Sequence, residues 1–136
     1  MFTGVKTNSG TLGYDNKIKE GDFNSTVDAT AVKSIMYHAQ QAGKDTGFVT
    51  TTRVTHATPA SLYAHSADRD WECYQDIEDE EFADSIPEIA WQLMYSDPGK
   101  NAKVMLGGGL KGFRTKSEDT RGDYDDYTSN CYTKDK

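Results

Sequence analysis

The chain has few hydrophobic residues, no long apolar run and no cluster of basic residues. Hydrophobic residues make up 35% of its 136 positions, which is low for an independently folded domain. No apolar stretch approaches the roughly 18 residues of a membrane-spanning helix. The net charge of −7, with no basic patch, excludes nucleic acid as an expected partner. The composition therefore favours a piece of a larger protein over a small core with a long polar tail.

Targeting and redox signals are also sparse. The first residues, 1–6, lack a charged segment followed by an apolar one, so we expect any secretory signal of a parent protein to lie upstream. The only two cysteines, Cys73 and Cys131, fit either a disulfide or two thiols, and their spacing matches no metal site. The tripeptide that starts at Asn24 is an N-glycosylation sequon, which leans towards secretion.

The first half of the chain predicts a helix followed by a strand. A capping-box pattern at 25–28 precedes an apolar stripe with helical spacing, and Gly43 is the expected stop. The stripe consists of Val32, Ile35, Met36, Ala39 and Ala42. The β-branched run at 47–54 predicts a strand, and Pro59 predicts the start of a short helix that continues to about Ala67.

The second half predicts an acidic loop, a helix and another strand. The acidic run at 72–84 is typical of a solvated loop. A second capping pattern at 85–88 predicts a helix that ends near 97–99, and its apolar face is Ile86, Ile89, Ala90, Leu93 and Met94. The apolar residues 103–106 predict a strand that runs into Gly107–Gly109.

This order of elements predicts an α/β fold with parallel strands buried between helices. Because two strands make a poor sheet, we expect their edges to pair with strands outside this chain. We divide the chain into a partial α/β domain, 1–113, and a polar tail, 114–136. The aspartates of the tail lack the spacing of a calcium loop, which favours a solvated segment.

Polar side chains with possible chemistry are concentrated just after the first predicted strand. His56, Thr58, His65 and Arg69 lie there, and ligands collect at the carboxyl ends of strands in open α/β sheets. A hydroxyl before proline is most often a helix cap, although its oxygen also suits Mg²⁺. An arginine after a helix usually faces solvent, although its planar fork suits a phosphate. The residues alone leave these alternatives open.

Several motifs in this region resemble the alkaline phosphatase family of animals. The resemblance is densest from about residue 3 to residue 71, and it is carried by Thr50–Val54, His56–Ala60, Tyr63–His65 and Arg69–Trp71. Gly4–Asn8, Ala42–Lys44 and the glycine run Leu106–Gly109 resemble further family segments in the same order. The resemblance implies part of a three-layer α/β/α fold with a mostly parallel central sheet.

The resemblance also implies roles for individual residues. Thr58 is expected to be a magnesium ligand, His56 to lie between the magnesium waters and the phosphate, and Arg69 to clamp two phosphate oxygens. It raises the expectation that Asn24 is glycosylated. We assign His65 a structural role and His38 none.

Two parts of the family's catalytic apparatus have no counterpart in these motifs. The serine nucleophile of the family is expected upstream of Met1, and its zinc ligands well beyond this region. The resemblance thus predicts an internal piece of a phosphomonoester hydrolase that uses Mg²⁺ and Zn²⁺, catalytically incomplete alone. It also implies a homodimer at the cell surface or outside the cell, joined to the membrane only by a lipid anchor that these motifs do not include. The alternative is a truncated homologue that binds phosphate or a partner without catalysis.

Overall fold

The computed structural model describes residues 2–78 and 83–114. It contains three α-helices and two strands: α1 Ile35–Gln41, β1 Gly47–Arg53, α2 Ala57–Ala60, α3 Ile89–Tyr95 and β2 Val104–Gly108. Short 3₁₀ helices lie at Phe23–Val27, Tyr74–Asp76, Gly99–Asn101 and Leu110–Phe113. Apart from Arg114, the predicted polar tail lies outside the described residues.

The two strands form a parallel pair. Gly47 pairs with Val104 and Arg53 with Gly108, and the register shifts between Val49 and Arg53. Because α2 and α3 lie between the strands in the chain, the α/β prediction with parallel strands is confirmed.

The expectation that both strands are buried between helices is wrong for the described chain. Val49 is 74% exposed and Leu106 is 58% exposed, because no described helix covers that side of the strands. Phe48 points the other way and packs against the core. That the edges of these strands pair with strands outside this chain stays a prediction.

The first predicted helix exists but begins later than its apparent cap. Ser25 lies instead in a 3₁₀ helix, where its backbone N–H donates to the Asp22 side chain at 3.3 Å. Ser34 is the actual cap of α1, since its hydroxyl accepts the backbone N–H of Tyr37 at 3.2 Å. Met36 is buried as the stripe predicts, but Ile35 is 64% exposed.

The helix predicted from Pro59 to Ala67 is shorter and begins earlier. The cap of α2 is His56, so Thr58 lies inside the first turn. Beyond α2 the backbone turns away to form an antiparallel bridge, in which Leu12 and Ser66 exchange two backbone hydrogen bonds of 2.9 Å. This long-range pairing removes the chain from helical geometry.

The core consists of two buried clusters. The cluster next to the sheet joins α3 to the segment after α2; it contains Leu12, Val54, Ala60, Tyr63, Ala64, Ile89 and Leu93. The other cluster contains Ile18, Ala67, Trp71, Ile77, Ala83 and Ile86. The predicted apolar face of the second helix is largely confirmed, although Met94 is 50% exposed and α3 has no side-chain cap. None of the described helices has the length and apolar character to cross a membrane.

The prediction of a solvated acidic loop from residue 72 is wrong for its first part. Glu72, Cys73 and Ile77 are all buried. Cys73 is disulfide-bonded, and Cys131 lies outside the described residues. The part of the chain that the structure describes has no free cysteine.

Candidate functional site

The residues singled out by sequence follow the carboxyl end of the parallel strand pair. Arg53 ends β1, and His56 is the cap from which α2 begins. The backbone N–H of Val54 donates to Gly108 at 3.0 Å, which extends the pairing beyond the last strand residue. Ligands collect at this end of parallel sheets, so the position agrees with the expected site.

Thr58 and Arg69 line the same cleft. This open cleft has a volume of about 250 Å³, and hydroxyl, aromatic and aliphatic side chains complete its walls. Thr58 is exposed, and 41% of the Arg69 side chain is exposed. The Arg69 Nε lies 3.8 Å from a carboxylate oxygen of Asp70, which is itself 85% exposed. Such a solvated pair is weak, and it leaves the guanidinium accessible to an anion.

Backbone contacts hold Arg69 against the N-terminal segment. Its backbone N–H donates to the Gly10 carbonyl at 2.7 Å. Gly13, on the same segment, lines the cleft with a φ of +72°, and a Cβ there would lie 2.4 Å from the Ala64 carbonyl oxygen. Only glycine permits both this left-handed backbone and this approach. The segment before Tyr14 therefore forms one wall and the chain around Thr58 another.

His56 is not among the residues that line this cleft. Its Nδ1 is buried and has no hydrogen-bond partner among the described residues. The ring lies close enough to Glu72 for its charge to help lower the pKa of that carboxyl. The structure thus brings Thr58 and Arg69 together and places His56 beside them, next to Glu72.

Glu72 is the member of this region that sequence reasoning missed. Its carboxylate accepts two hydrogen bonds from Arg53, Nε to Oε2 at 2.8 Å and Nη2 to Oε1 at 2.6 Å. The Thr55 hydroxyl donates a third, to Oε2 at 2.6 Å. Burial alone would raise the pKa of Glu72, but these bonds outweigh it and hold the pKa below its ordinary value. The available signal was the arginine at the end of β1, because a part-buried guanidinium needs a counter-ion.

The contacts of His65 agree with its structural assignment. Its Nε2 lies 3.0 Å from the Val32 carbonyl, and its backbone forms two 2.8 Å hydrogen bonds with the Gln92 side chain. Burial lowers the pKa of the ring, Lys33 lowers it further, and the Val32 bond partly offsets both. His65 therefore joins the segment before α1, through its ring, to α3, through its backbone.

The candidate glycosylation residue and the histidine without an assigned role both lie at the surface. Asn24 is exposed within the 3₁₀ helix Phe23–Val27, so the amide is accessible to an enzyme. His38 is exposed on α1.

The cleft fits a hard cation only in part. Among the described residues, its side-chain oxygens belong to hydroxyls, including those of Thr7, Thr11 and Thr58, and none belongs to a carboxylate. One hydroxyl suits one position in the octahedral oxygen shell of Mg²⁺. Within residues 2–78 and 83–114, no group of three or more histidine, cysteine or acidic side chains can hold a metal, so these residues do not fit Zn²⁺.

Comparison with known proteins agrees with the family resemblance of the motifs. The family model for alkaline phosphatase matches residues 1–132. The chain is 45% identical over 112 residues to alkaline phosphatase 4 of Drosophila melanogaster, a match that covers 81% of this chain and 18% of that protein. It is 44% identical over 108 residues to the human tissue-nonspecific isozyme, covering 79% and 20%. It is 42% identical over 125 residues to the membrane-bound alkaline phosphatase of Bombyx mori, covering 88% and 23%. The chain thus spans about a fifth of the length of these relatives.

Proposed function

Because this chain belongs to the alkaline phosphatase family, we propose that it supplies the phosphate-binding wall of a phosphomonoester hydrolase. One observation carries the proposal: Thr58 and Arg69 lie on a single open cleft at the carboxyl end of β1. An arginine fork there binds two oxygens of a phosphate monoester and stabilises the charge that develops during transfer.

Thr58 is proposed to bind Mg²⁺ through its hydroxyl oxygen. When bound, the ion supplies positive charge that neutralises developing negative charge on the phosphoryl group and its neighbours. His56, which is beside the cleft, is proposed to orient water between the ion and the phosphate, since its Nδ1 has no hydrogen-bond partner among the described residues. The hydroxyl-rich lining supports one protein ligand to Mg²⁺, with other ligands from outside the described residues.

The complete reaction is proposed to need a serine nucleophile and Zn²⁺ from outside residues 1–136. The purified chain is therefore expected not to hydrolyse a chromogenic phosphomonoester at alkaline pH, even with zinc and magnesium present. Turnover that disappears in Arg69→Ala would contradict this expectation. Transcript sequence upstream of the Met1 codon gives an independent check: an in-frame Asp-Ser motif supports the proposal, and a stop codon would support the non-catalytic homologue.

Binding of inorganic phosphate to the chain tests the site directly. We expect Arg69→Ala to weaken binding at least about tenfold, and Arg69→Lys to weaken it less, because a lysine retains the charge without the fork. Arg114→Ala, outside the cleft, is the matched control and should leave the affinity unchanged. If Arg69→Ala and Arg114→Ala weakened phosphate binding equally, Arg69 would contribute only its positive charge and not a specific contact.

Magnesium dependence tests Thr58 separately. Added Mg²⁺ is expected to strengthen phosphate binding, and Thr58→Ala should abolish that gain, whereas Thr58→Ser should retain it because serine keeps the hydroxyl. A gain from Mg²⁺ that survives Thr58→Ala removes this residue from the site.

The exposed sequon and the disulfide of Cys73 support a protein of the secretory pathway. We propose a location at the cell surface or outside the cell, with glycan on Asn24, a homodimer and a lipid anchor in the complete protein. Expression in a secretory host should give a band that glycosidase shifts, and Asn24→Gln should remove that shift. A wild-type band that glycosidase does not move contradicts the glycan assignment.

A further inference from the structure

The buried carboxylate of Glu72 connects two segments that carry different parts of the proposed site. One is the turn out of β1, where the carboxylate bonds Arg53 and Thr55 on either side of Val54. The other contains Arg69, three residues before Glu72. No other side chain is described as bonding directly to both Arg53 and Thr55.

Both ends of this connection are fixed. On the turn, Thr55 is 1% exposed, and the next residue is the cap from which α2 and Thr58 follow. On the other side, the backbone N–H of Glu72 donates to Asp70 at 2.7 Å, and its carbonyl accepts from Ala90 of α3 at 2.9 Å. A movement of the turn relative to the Arg69 segment must therefore break charge-assisted hydrogen bonds, of which the bond from Thr55 is buried and those from Arg53 are part-buried.

We propose that Glu72 is a positioning residue that fixes the turn carrying His56 and Thr58 relative to the segment carrying Arg69. Glu72 does not line the cleft, so it acts through Arg53 and Thr55 and not by touching the anion. A buried ion pair is weak support for stability, because desolvation offsets much of its attraction, and selecting one conformation is a role such groups can serve. The functional meaning of this inference rests on the proposed phosphate site.

Two substitutions and one control test the geometry. Glu72→Gln removes the charge, and Thr55→Val removes one hydrogen bond while keeping the branched shape and the Arg53 pair. Asp70→Asn makes the same charge change as Glu72→Gln at a carboxylate that is 85% exposed and nearer in sequence to Arg69. If Glu72→Gln does not fold, Thr55→Val still removes the bond that holds the turn.

The main readout is the order parameter of backbone amides at residues 55–58, from ¹⁵N relaxation of folded protein. In Glu72→Gln and Thr55→Val we expect it to fall from about 0.85 to about 0.6, while amides of α3 and all amides of Asp70→Asn remain unchanged. A carboxylate that only stabilises the fold would lower the melting temperature and leave these native-state values unchanged. That result would overturn the inference.

The affinity for inorganic phosphate gives a second readout. A pure charge effect and a loss of positioning predict changes of this affinity in opposite directions. Removing a negative charge near an anion site should strengthen binding, as we expect modestly for Asp70→Asn. Lost positioning predicts that Glu72→Gln weakens binding about fivefold or more despite the same charge change. Tighter binding in Glu72→Gln overturns the inference. Failure of the unsubstituted chain to bind phosphate contradicts the proposed function instead, and the order parameters still decide whether Glu72 fixes the turn.

Discussion

Tyr63 joins the core to the turn after β1, and removing its hydroxyl should measure how much that link stabilises the fold. The residue is 2% exposed, its ring stacks on Phe48 with centroids 5.9 Å apart, and its hydroxyl donates to the Val54 carbonyl at 2.7 Å. Tyr63→Phe keeps the ring and its packing, so the change isolates one buried hydrogen bond. A net bond contributes about 1 kcal/mol, and a buried acceptor that loses its donor adds to the loss. We expect the free energy of unfolding to fall by about 1–2 kcal/mol.

Urea unfolding followed by far-ultraviolet circular dichroism measures this loss, with an unchanged m-value as evidence that the unfolded state is the same. Tyr37→Phe is the matched control, because that ring is only partly buried and contacts the Lys33 ammonium at 4.6 Å from its centroid. It should change stability by less than about 0.5 kcal/mol. A Tyr63→Phe protein as stable as the wild type would refute the assignment of this bond as a stabilising link.

The same tyrosine has a defined pH dependence. Burial raises the pKa of the Tyr63 hydroxyl above its ordinary value, and the nearby charge of Glu72 raises it further. A raised pKa in the folded state gives a contribution that is complete below the ordinary tyrosine pKa of about 10 and is lost as the pH rises beyond it. The stability difference between wild type and Tyr63→Phe should therefore stay constant from neutral pH to about pH 9. Above about pH 10 the difference should shrink, and a difference that stays constant there would show that Tyr63 has the same pKa in the folded and unfolded chain.

Three further predictions test other parts of the fold. Leu93→Ala should lower the free energy of unfolding by about 2–5 kcal/mol, because Leu93 is 2% exposed. Met94 is half exposed on the same helix, so Met94→Ala should lower it by less than about 1 kcal/mol. Similar losses for the two substitutions in urea unfolding would contradict the assigned core face. Gly109→Ala should lower the free energy of unfolding by about 1–3 kcal/mol, since φ of Gly109 is +92° and a Cβ would lie 2.9 Å from the Arg53 Cβ. An unchanged midpoint of urea unfolding would argue against this left-handed backbone conformation. The lowered pKa of Glu72 contributes stability above the ordinary carboxyl pKa of about 4.3, and this stability is lost as the pH falls through the pKa of the folded state. The free energy of unfolding of Glu72→Gln should therefore vary less with pH below about 5 than that of the wild type. Parallel pH profiles of the two proteins would contradict the direction of the pKa shift.

Sequence patterns predicted the strands and the helix faces better than the helix boundaries. The β-branched run of β1 and the apolar face of α3 depend on local periodicity, which the residues themselves display. The boundaries depend on distant partners. Ser34, and not Ser25, caps α1, and its hydroxyl also donates to the Leu62 carbonyl, a contact that no local pattern contains. The early end of α2 has the same origin in the bridge between Leu12 and Ser66.

The candidate site divides in the same way. Thr58 and Arg69 belong to one continuous motif string, and both line one cleft, while their roles in binding stay predictions. Glu72 begins an acidic run, and charge runs are usually solvated, so its neighbours gave the wrong environment. Its burial is decided by Arg53, 19 residues earlier in the chain. The arginine at the end of β1 signals a need for a counter-ion, but only the folded chain shows that Glu72 is the carboxylate that supplies it.

The glycine run shows how a motif that looks unrelated to the site supports it. A Cβ on Gly107 would lie 2.7 Å from the Thr50 Cγ2 and 2.8 Å from the Val54 Cγ1, closer than real contacts allow. The glycines of β2 therefore permit the close approach of the β-branched residues of β1, and the Gly108 carbonyl then accepts the backbone N–H of Val54 at 3.0 Å. Because the Val54 carbonyl accepts the Tyr63 hydroxyl, both the N–H and the carbonyl of Val54 are hydrogen-bonded. Since Val54 lies between the two residues that Glu72 bonds, the two separate motifs act as one structural unit that sets where the chain leaves the sheet towards Thr58.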